Sequence, residues 1–373
     1  MLVVADINTI WRGRPFAALA ERRPVLGLKP RDRLTALKEG RLPFGQRRGS
    51  DRNLKTLSVV LPFGWASRRA DKIMPRLWGA AIAECQRLGA KPTGLVVTSP
   101  HYAPMMEAIS ATLPCYYYCS DDYLNYEGWD AEEIRGLEAR VMRCVRHSFF
   151  VSTALQERAM RDYAVGTHQV SVSMNATEES FLIPVAPQKL EMLFRAHPKL
   201  KRPVVGVVGG INERIDFALL RSVADLREIG SLLLVGKMAK PIEPACLDLL
   251  NHPRVLAVGE QPHDSLPAWQ QLLDVALIPY RKSGFNYFCS PMRLFDHLAA
   301  GRPIVATDAC AQTNQFGGVL SVANTTTDFL KSVQSACSAL FSKTQFEGMR
   351  TIASENLWSS RARDLHHLLP QPL

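Results

Sequence analysis

Short runs of β-branched and aromatic residues alternate with longer amphipathic stretches through the first half of the chain. LVVADI (Leu2 to Ile7), PVLGL (Pro24 to Leu28), LSVVLP (Leu57 to Pro62), GLVVTS (Gly94 to Ser99), CYYYC (Cys115 to Cys119), HSFFVS (His147 to Ser152) and QVSVSM (Gln169 to Met174) have the length and composition of strands. Helical segments such as Ala70 to Leu88 and Ala131 to Val145 separate them. This alternation predicts an α/β fold with a parallel sheet covered by helices on both faces.

The pattern breaks after Phe181, where IPVAPQKLEMLFRAHPKLKRP is rich in Pro and Lys and reads as a linker. A second series then runs through PVVGVVGG (Pro203 to Gly210), SLLLVGK (Ser231 to Lys237), RVLAVGE (Arg254 to Glu260), DVALIPY (Asp274 to Tyr280), PIVATD (Pro303 to Asp308) and GVLSV (Gly318 to Val322). The expected organisation is two tandem doubly wound, Rossmann-like domains. Residues 1–185 form an N-terminal domain, 186–202 a linker, 203–355 a C-terminal domain and 356–373 a closing helix. Ligands in such folds bind at the carboxyl ends of strands, so a cleft between two such edges is the expected site.

Composition narrows the class. With 373 residues, 47% hydrophobic and 21% charged, the chain suits two cored globular domains. Its eight cysteines are scattered without zinc-type spacing and read as reduced thiols of a cytoplasmic protein. The first ten residues lead into WRGRP rather than a small-residue cleavage site, so no signal peptide is expected, and no run approaches the roughly 20 apolar residues of a membrane span. The net charge of +10 is concentrated early, with thirteen cations against five acids in the first sixty residues. Such a surface suits an anionic partner, including the inner face of a membrane, or is simply a solvated basic loop. No helix-turn-helix, RNP or zinc signature supports a nucleic-acid partner.

The richest stretch for chemistry is SPMRLFDHLAAGRPIVATD, Ser290 to Asp308. Ser290 reads as the N-cap of a helix, Pro291 as its first residue, with Met292 following, and Gly301 as its end. A helix N-terminus at a strand's carboxyl edge is a seat for phosphate. Arg293 suits phosphate oxygens, and Asp296, three residues on, suits the two hydroxyls of a ribose; a surface Arg–Asp pair is the plainer alternative.

The ordered set of motifs around that stretch changes the picture. LLDVALIPYRKSGFNYFCSPMRLFDHLAAGRPIVATD, together with VGVVGGINERID, LLLVGK, VLAVGEQPHDSLP and ENLWSSRA, resembles the donor-binding half of GT-B fold glycosyltransferases of the GT1/GT4 kind. YYYCSDDYLNYEGW followed by FFVSTALQERAM is similar to the acceptor side of teichuronic-acid-type and xanthan glucuronosyltransferase-type polysaccharide transferases. The resemblance implies two Rossmann-like domains facing across a cleft, with a C-terminal helix crossing back to the first. It also implies a nucleotide-diphosphate sugar as co-substrate, UDP- or GDP-linked, no other cofactor and no metal. A glycan or lipid-linked acceptor completes the set of partners.

On the donor side the resemblance points to Gly209, Gly210, Lys237, Glu260, Gln261, Tyr280, Ser290, Pro291, Met292, Arg293 and Asp296. On the acceptor side it points to Asp121 as the base. Asp121 follows an aromatic strand at its carboxyl edge, where a carboxylate can take a proton from a hydroxyl. Asp122 has the same sequence credentials, and either can be a turn-forming residue. His101, in TSPHYAPM, is a further catalytic candidate. Two departures bear on the sugar end: Phe288 stands where retaining relatives carry a Glu, and INERID offers Arg214 without a lysine partner. A nucleotide-sugar epimerase and a non-catalytic nucleotide-sugar-binding module are the rival readings.

Overall fold

The computed structural model describes residues 1–38, 40, 45–51, 53–62, 70–240, 243–338 and 343–370. Of the early basic stretch, Glu39, Arg41 and Arg52 lie outside the described residues. The chain divides into two compact units: Met1–Met174 with Trp358–Leu373, and Asn175–Leu357.

Unit 1 is built on an eight-stranded sheet of β1 (Leu2–Ala5), β2 (Val25–Asp32), β3 (Gln46–Asp51), β4 (Leu54–Leu61), β5 (Gly94–Val97), β6 (Cys115–Cys119), β7 (His147–Phe150) and β8 (Val170–Val172). Their order is β3-β4-β2-β1-β5-β6-β7-β8. All neighbours are parallel except β3, which runs antiparallel to β4. Every residue of β1, β5 and β6 is buried, as expected of central strands covered on both faces. The strand β3 had no signal in the hydrophobic pattern. Its sequence QRRGSD is exposed throughout, pairs with β4 along its backbone while Arg48 Nε donates to Glu84 at 2.8 Å, and its arginines discourage further edge pairing.

Unit 2 carries β9 (Val204–Val208), β10 (Ser231–Val235), β11 (Val255–Gly259), β12 (Val275–Ile278), β13 (Ile304–Thr307) and β14 (Ser321–Ala323), ordered β11-β10-β9-β12-β13-β14 and parallel throughout. Val205, Val207, Leu232, Leu234, Val275 and Leu277 point into one core with Leu220 and Val223 of helix Phe217–Asp225 and Phe329 and Val333 of helix Thr326–Ser338. The ends of β9 and β10 approach so closely that a Cβ on Gly236 (φ 144°) would lie 1.9 Å from the Gly209 carbonyl oxygen.

The unit boundary falls at Met174/Asn175, earlier than residue 185. Segment 186–202, expected as a linker, holds the helix Pro187–Arg195, which packs against helix Leu266–Leu272 of unit 2. The proline that suggested a break sits at the first helical position, where its missing N–H is harmless. The closing helix Trp358–Leu368 packs on helix Ile10–Ala20 within unit 1. No helix among the described residues is long and apolar enough to cross a membrane.

Candidate active site

In each unit the order of strands reverses beside the first strand, between β1 and β5 and between β9 and β12. Loops leaving the carboxyl ends of such neighbours diverge and open a crevice. Of the predicted site residues, Gly209, Gly210 and Tyr280, with Arg293 against them, lie at the second of these reversals, and His101 follows β5 at the first.

In unit 2, Gly209 and Gly210 leave β9, and Tyr280 leaves β12. Gly209 has φ 120°, a backbone state open to glycine, and an added Cβ would stand 3.3 Å from the Arg293 guanidinium. Arg293 Nη2 donates to the Gly210 carbonyl at 2.7 Å, while its Nη1 is buried with no protein partner. The guanidinium carbon lies 5.3 Å from the centre of the Tyr280 ring, and that of Arg214 lies 5.0 Å from the same ring. Burial raises the Tyr280 phenol above its ordinary range against the pull of both cations, so it stays neutral. Arg214 is held by Asn286, whose Oδ1 accepts from Nε at 2.9 Å and whose amide donates to the Arg214 and Arg281 carbonyls. Phe288 ends the short helix Gly284–Phe288.

The helix behind this edge is Met292–Ala300, closed by Gly301 in the left-handed conformation. Its N-cap is Pro291, and Ser290 does not cap it. The Ser290 hydroxyl instead accepts from the Asn175 N–H at 2.9 Å, and Asn175 Nδ2 donates to the Ser290 carbonyl at 2.7 Å. Asp296 Oδ1 accepts from the Thr177 hydroxyl at 2.7 Å. Burial pushes the Asp296 carboxyl up to about 7, with Thr177 and nearby Arg293 opposing. One residue further, His297 is fully buried with neither ring nitrogen partnered, and burial drives it down to about 3.

The remaining donor-side candidates are less engaged. Lys237 is exposed and contributes its carbonyl, which accepts from Ile211 N–H. Glu260 is exposed, and Gln261 donates to the Val258 carbonyl. Two features escaped the sequence reading. Gln312, past the carboxyl end of β13, is buried with neither amide atom partnered by protein. Cys289 and Cys310 bring their sulfurs within 3.7 Å, and contact with Cys289 holds the Cys310 thiol down at about 7 despite burial.

In unit 1 the crevice edge is polar and aromatic. Asp121 Oδ2 accepts from the Tyr126 hydroxyl at 3.0 Å, and Oδ1 from the Asp122 N–H at 3.1 Å. His101 Nδ1 lies 3.0 Å from Ser99 Oγ, and its ring meets Trp129 edge-on at 4.5 Å. Burial, with Arg12 nearby, lowers His101 to about 4, so the ring is neutral at pH 7. Asp122 is a different case from Asp121. It is fully buried, 2.8 Å from Arg158 and 2.5 Å from the Asn125 amide, which makes it a structural ion pair rather than a base.

Asp6 and Arg12, which entered the sequence reading only as charges, form a buried pair at 2.5 Å on this edge. Asp6 has φ 68°, a strained backbone state for a side-chain-bearing residue, of the kind that concentrates at functional sites. The rule applied to Asp121, an acid just past a strand, would have flagged Asp6 as well. No metal-holding group of His, Cys, Asp or Glu occurs among the described residues.

Residues 202–338 match the family model described as Glycosyl transferases group 1. Solved structures align along nearly the whole chain. HepE of Anabaena in complex with UDP superposes with a TM-score of 0.74 at 13% identity, covering 98% of both chains. The chain has the GT-B fold. Among other GT-B neighbours, sucrose-phosphate synthase from Thermosynechococcus elongatus has a TM-score of 0.71 at 14% identity, covering 98% of this chain and 97% of that one. An α,α-trehalose-phosphate synthase (UDP-forming) from Burkholderia vietnamiensis has 0.70 at 9%, with coverage of 98% and 97%. Over 105 residues the GT-B chain is 32% identical to TuaH of Bacillus subtilis, which bears the name of a teichuronic acid biosynthesis glycosyltransferase. That stretch is 28% of this chain and spans about a quarter, 26%, of the curated relative.

Proposed function

We propose that this chain is a glycosyltransferase that moves a sugar from a nucleotide-diphosphate donor, with UDP the favoured nucleotide, to an acceptor hydroxyl in polysaccharide or glycoconjugate synthesis. The observation that carries the reading is Arg293. It is a cation with a buried, unpartnered Nη1 at the strand-order reversal of unit 2, inside the segment that matches the family model. A buried donor without a partner costs about 1–3 kcal/mol, and a diphosphate oxygen would supply the missing acceptor. The complex of HepE with UDP supports the choice of nucleotide.

In this reading Gly209 and Gly210 let backbone approach the phosphates, Tyr280 lies beneath the nucleotide, and ionised Asp296 accepts from ribose hydroxyls. Asp121 takes the proton of the acceptor hydroxyl as its oxygen bonds to the anomeric carbon and the bond from that carbon to the diphosphate oxygen breaks. Arg293 offsets the charge that develops on the leaving diphosphate. Attack from the face opposite the leaving group inverts the anomeric centre. The neutral His101 is suited to hydrogen bonding with the acceptor rather than to pairing with charge.

The test has two arms. Thermal shifts with UDP-, GDP-, TDP- and ADP-sugars should single out the UDP donors. Asp121→Asn should leave UDP-sugar binding intact and abolish transfer; full transfer by that variant would remove Asp121 from the mechanism.

A lipid-linked acceptor at an anionic membrane face also fits. The short helix Arg33–Lys38 buries Ala36 but leaves Leu34 and Leu37 52% and 54% exposed, on the same short helix as exposed Arg33 and Lys38. Salt-sensitive binding to phosphatidylglycerol vesicles, lost in Leu34→Ser/Leu37→Ser, is the expected result; absence of binding at low salt would count against it.

A further inference from the structure

Asp296 does not stand alone behind the proposed ribose site. Its Oδ1 is occupied by the hydroxyl of Thr177, a buried residue 119 positions away in sequence. Thr177 lies three residues into unit 2, and its own N–H donates to the carbonyl of Asn356, next to last in that unit. The same residue forms an isolated parallel bridge with Leu357. Two positions earlier, Asn175 grips Ser290 through both its N–H and its side-chain amide. One short segment therefore touches the start of the donor helix, the carboxylate one turn along it, and the last residues of the unit.

We propose that Thr177 is the positioning residue of the donor site: its hydroxyl orients the Asp296 carboxylate for ribose, and its main chain couples that carboxylate to Asn356 and Leu357. The inference rests on the reading of Asp296 as the ribose acceptor. A threonine placed for packing alone would be replaceable by valine, which has the same shape, whereas a threonine that orients a carboxylate would not. Thr177 is also the foremost influence that draws the Asp296 carboxyl down against its burial, ahead of His263 and Arg293, while Glu178 pushes it up. His263 and Glu178 lie 3.2 Å apart and so share this neighbourhood. Losing the hydroxyl should both free the carboxylate to rotate and make it harder to ionise.

The experiment is calorimetric binding of UDP-glucose to the full chain between about pH 5.5 and 8.5, a range in which the sugar-capped diphosphate itself does not titrate. Wild type, Thr177→Ser, Thr177→Val and Asp296→Asn are compared. Wild-type affinity should fall as pH drops through about 7, because the ionised carboxylate is the hydrogen-bond acceptor. Thr177→Ser should follow the wild-type curve. Thr177→Val should move its midpoint to higher pH and weaken binding at pH 7 by about tenfold. A second readout is amide hydrogen exchange at Asn356 and Leu357, which should slow on UDP-glucose binding in wild type and not in the valine variant.

If Thr177→Val coincides with wild type in both readouts while Asp296→Asn flattens the pH profile, the role of Thr177 is overturned and the ribose reading survives. If Asp296→Asn keeps the wild-type profile, the titrating group lies elsewhere and the ribose reading itself fails. Should the valine variant not fold, Thr177→Ala carries the same comparison.

Discussion

Replacing Arg293 by methionine should separate ligand binding from stability in one step. The guanidinium makes a 2.7 Å bond to the Gly210 carbonyl, sits over Tyr280, and leaves Nη1 buried and unpartnered by protein. The lost bond and ring contact cost about 1–3 kcal/mol, moderated because Gly210 is exposed and its carbonyl can turn to water. Removing the orphaned donor returns about 1–3 kcal/mol, and methionine keeps much of the apolar stem in place. The two nearly offset, so the melting temperature should change little. Binding has no such compensation. A charge-assisted hydrogen bond to a diphosphate oxygen contributes about 1.5–3 kcal/mol, so UDP affinity should weaken roughly 10- to 150-fold. Isothermal titration with UDP, beside a thermal melt of each protein, measures both quantities. A UDP dissociation constant within about threefold of wild type would refute the assignment of Arg293 as the diphosphate ligand.

Two further expectations concern buried groups. Asp122→Asn takes from buried Arg158 the carboxylate 2.8 Å away, while nearby Glu138 still attracts the guanidinium, and should cost about 1–3 kcal/mol in urea unfolding; a loss below about 0.5 kcal/mol would mean that the pair is not structural. His297 is neutral in the folded protein down to about pH 3 but takes a proton near its ordinary value of 6.5 once unfolded. Its depressed value means that stability present above about pH 6.5 is lost as pH falls toward 3. Leucine at 297 removes that proton uptake, so the variant should resist acid unfolding better than wild type, and an unchanged acid transition would contradict the burial argument.

The periodicity of the sequence carried the architecture well where strands are buried on both faces. LVVADI, CYYYC and PVVGVVGG read as strands because a fully covered strand needs apolar side chains at nearly every position. The edge strand β3 was illegible, since QRRGSD pairs along its backbone, as any polar sequence without proline can, and its Arg48 is met by Glu84, 36 residues away in sequence. Segment 186–202 was misread for a local reason, because proline and lysine also suit the first turn and the solvent face of a helix such as Pro187–Arg195.

For the site, the sequence alone determined which chemical groups stand at which strand ends, because strand ends follow from hydrophobic runs and their flanking residues. It located Gly209, Tyr280, Arg293, Asp296 and Asp121 at carboxyl edges. Only the tertiary structure decided what each group can do. Asp121 and Asp122 are neighbours with the same side chain, yet Arg158 from another helix makes one a buried ion pair, while the other accepts from Tyr126. Ser290 has every local mark of a helix cap, yet its hydroxyl is taken by Asn175, 115 residues away, and Asp296 is held by Thr177 at a separation of 119. The role of a polar side chain depends on which partner reaches it first and how much water remains around it. Contacts across more than a hundred residues settle both, and no local pattern encodes them.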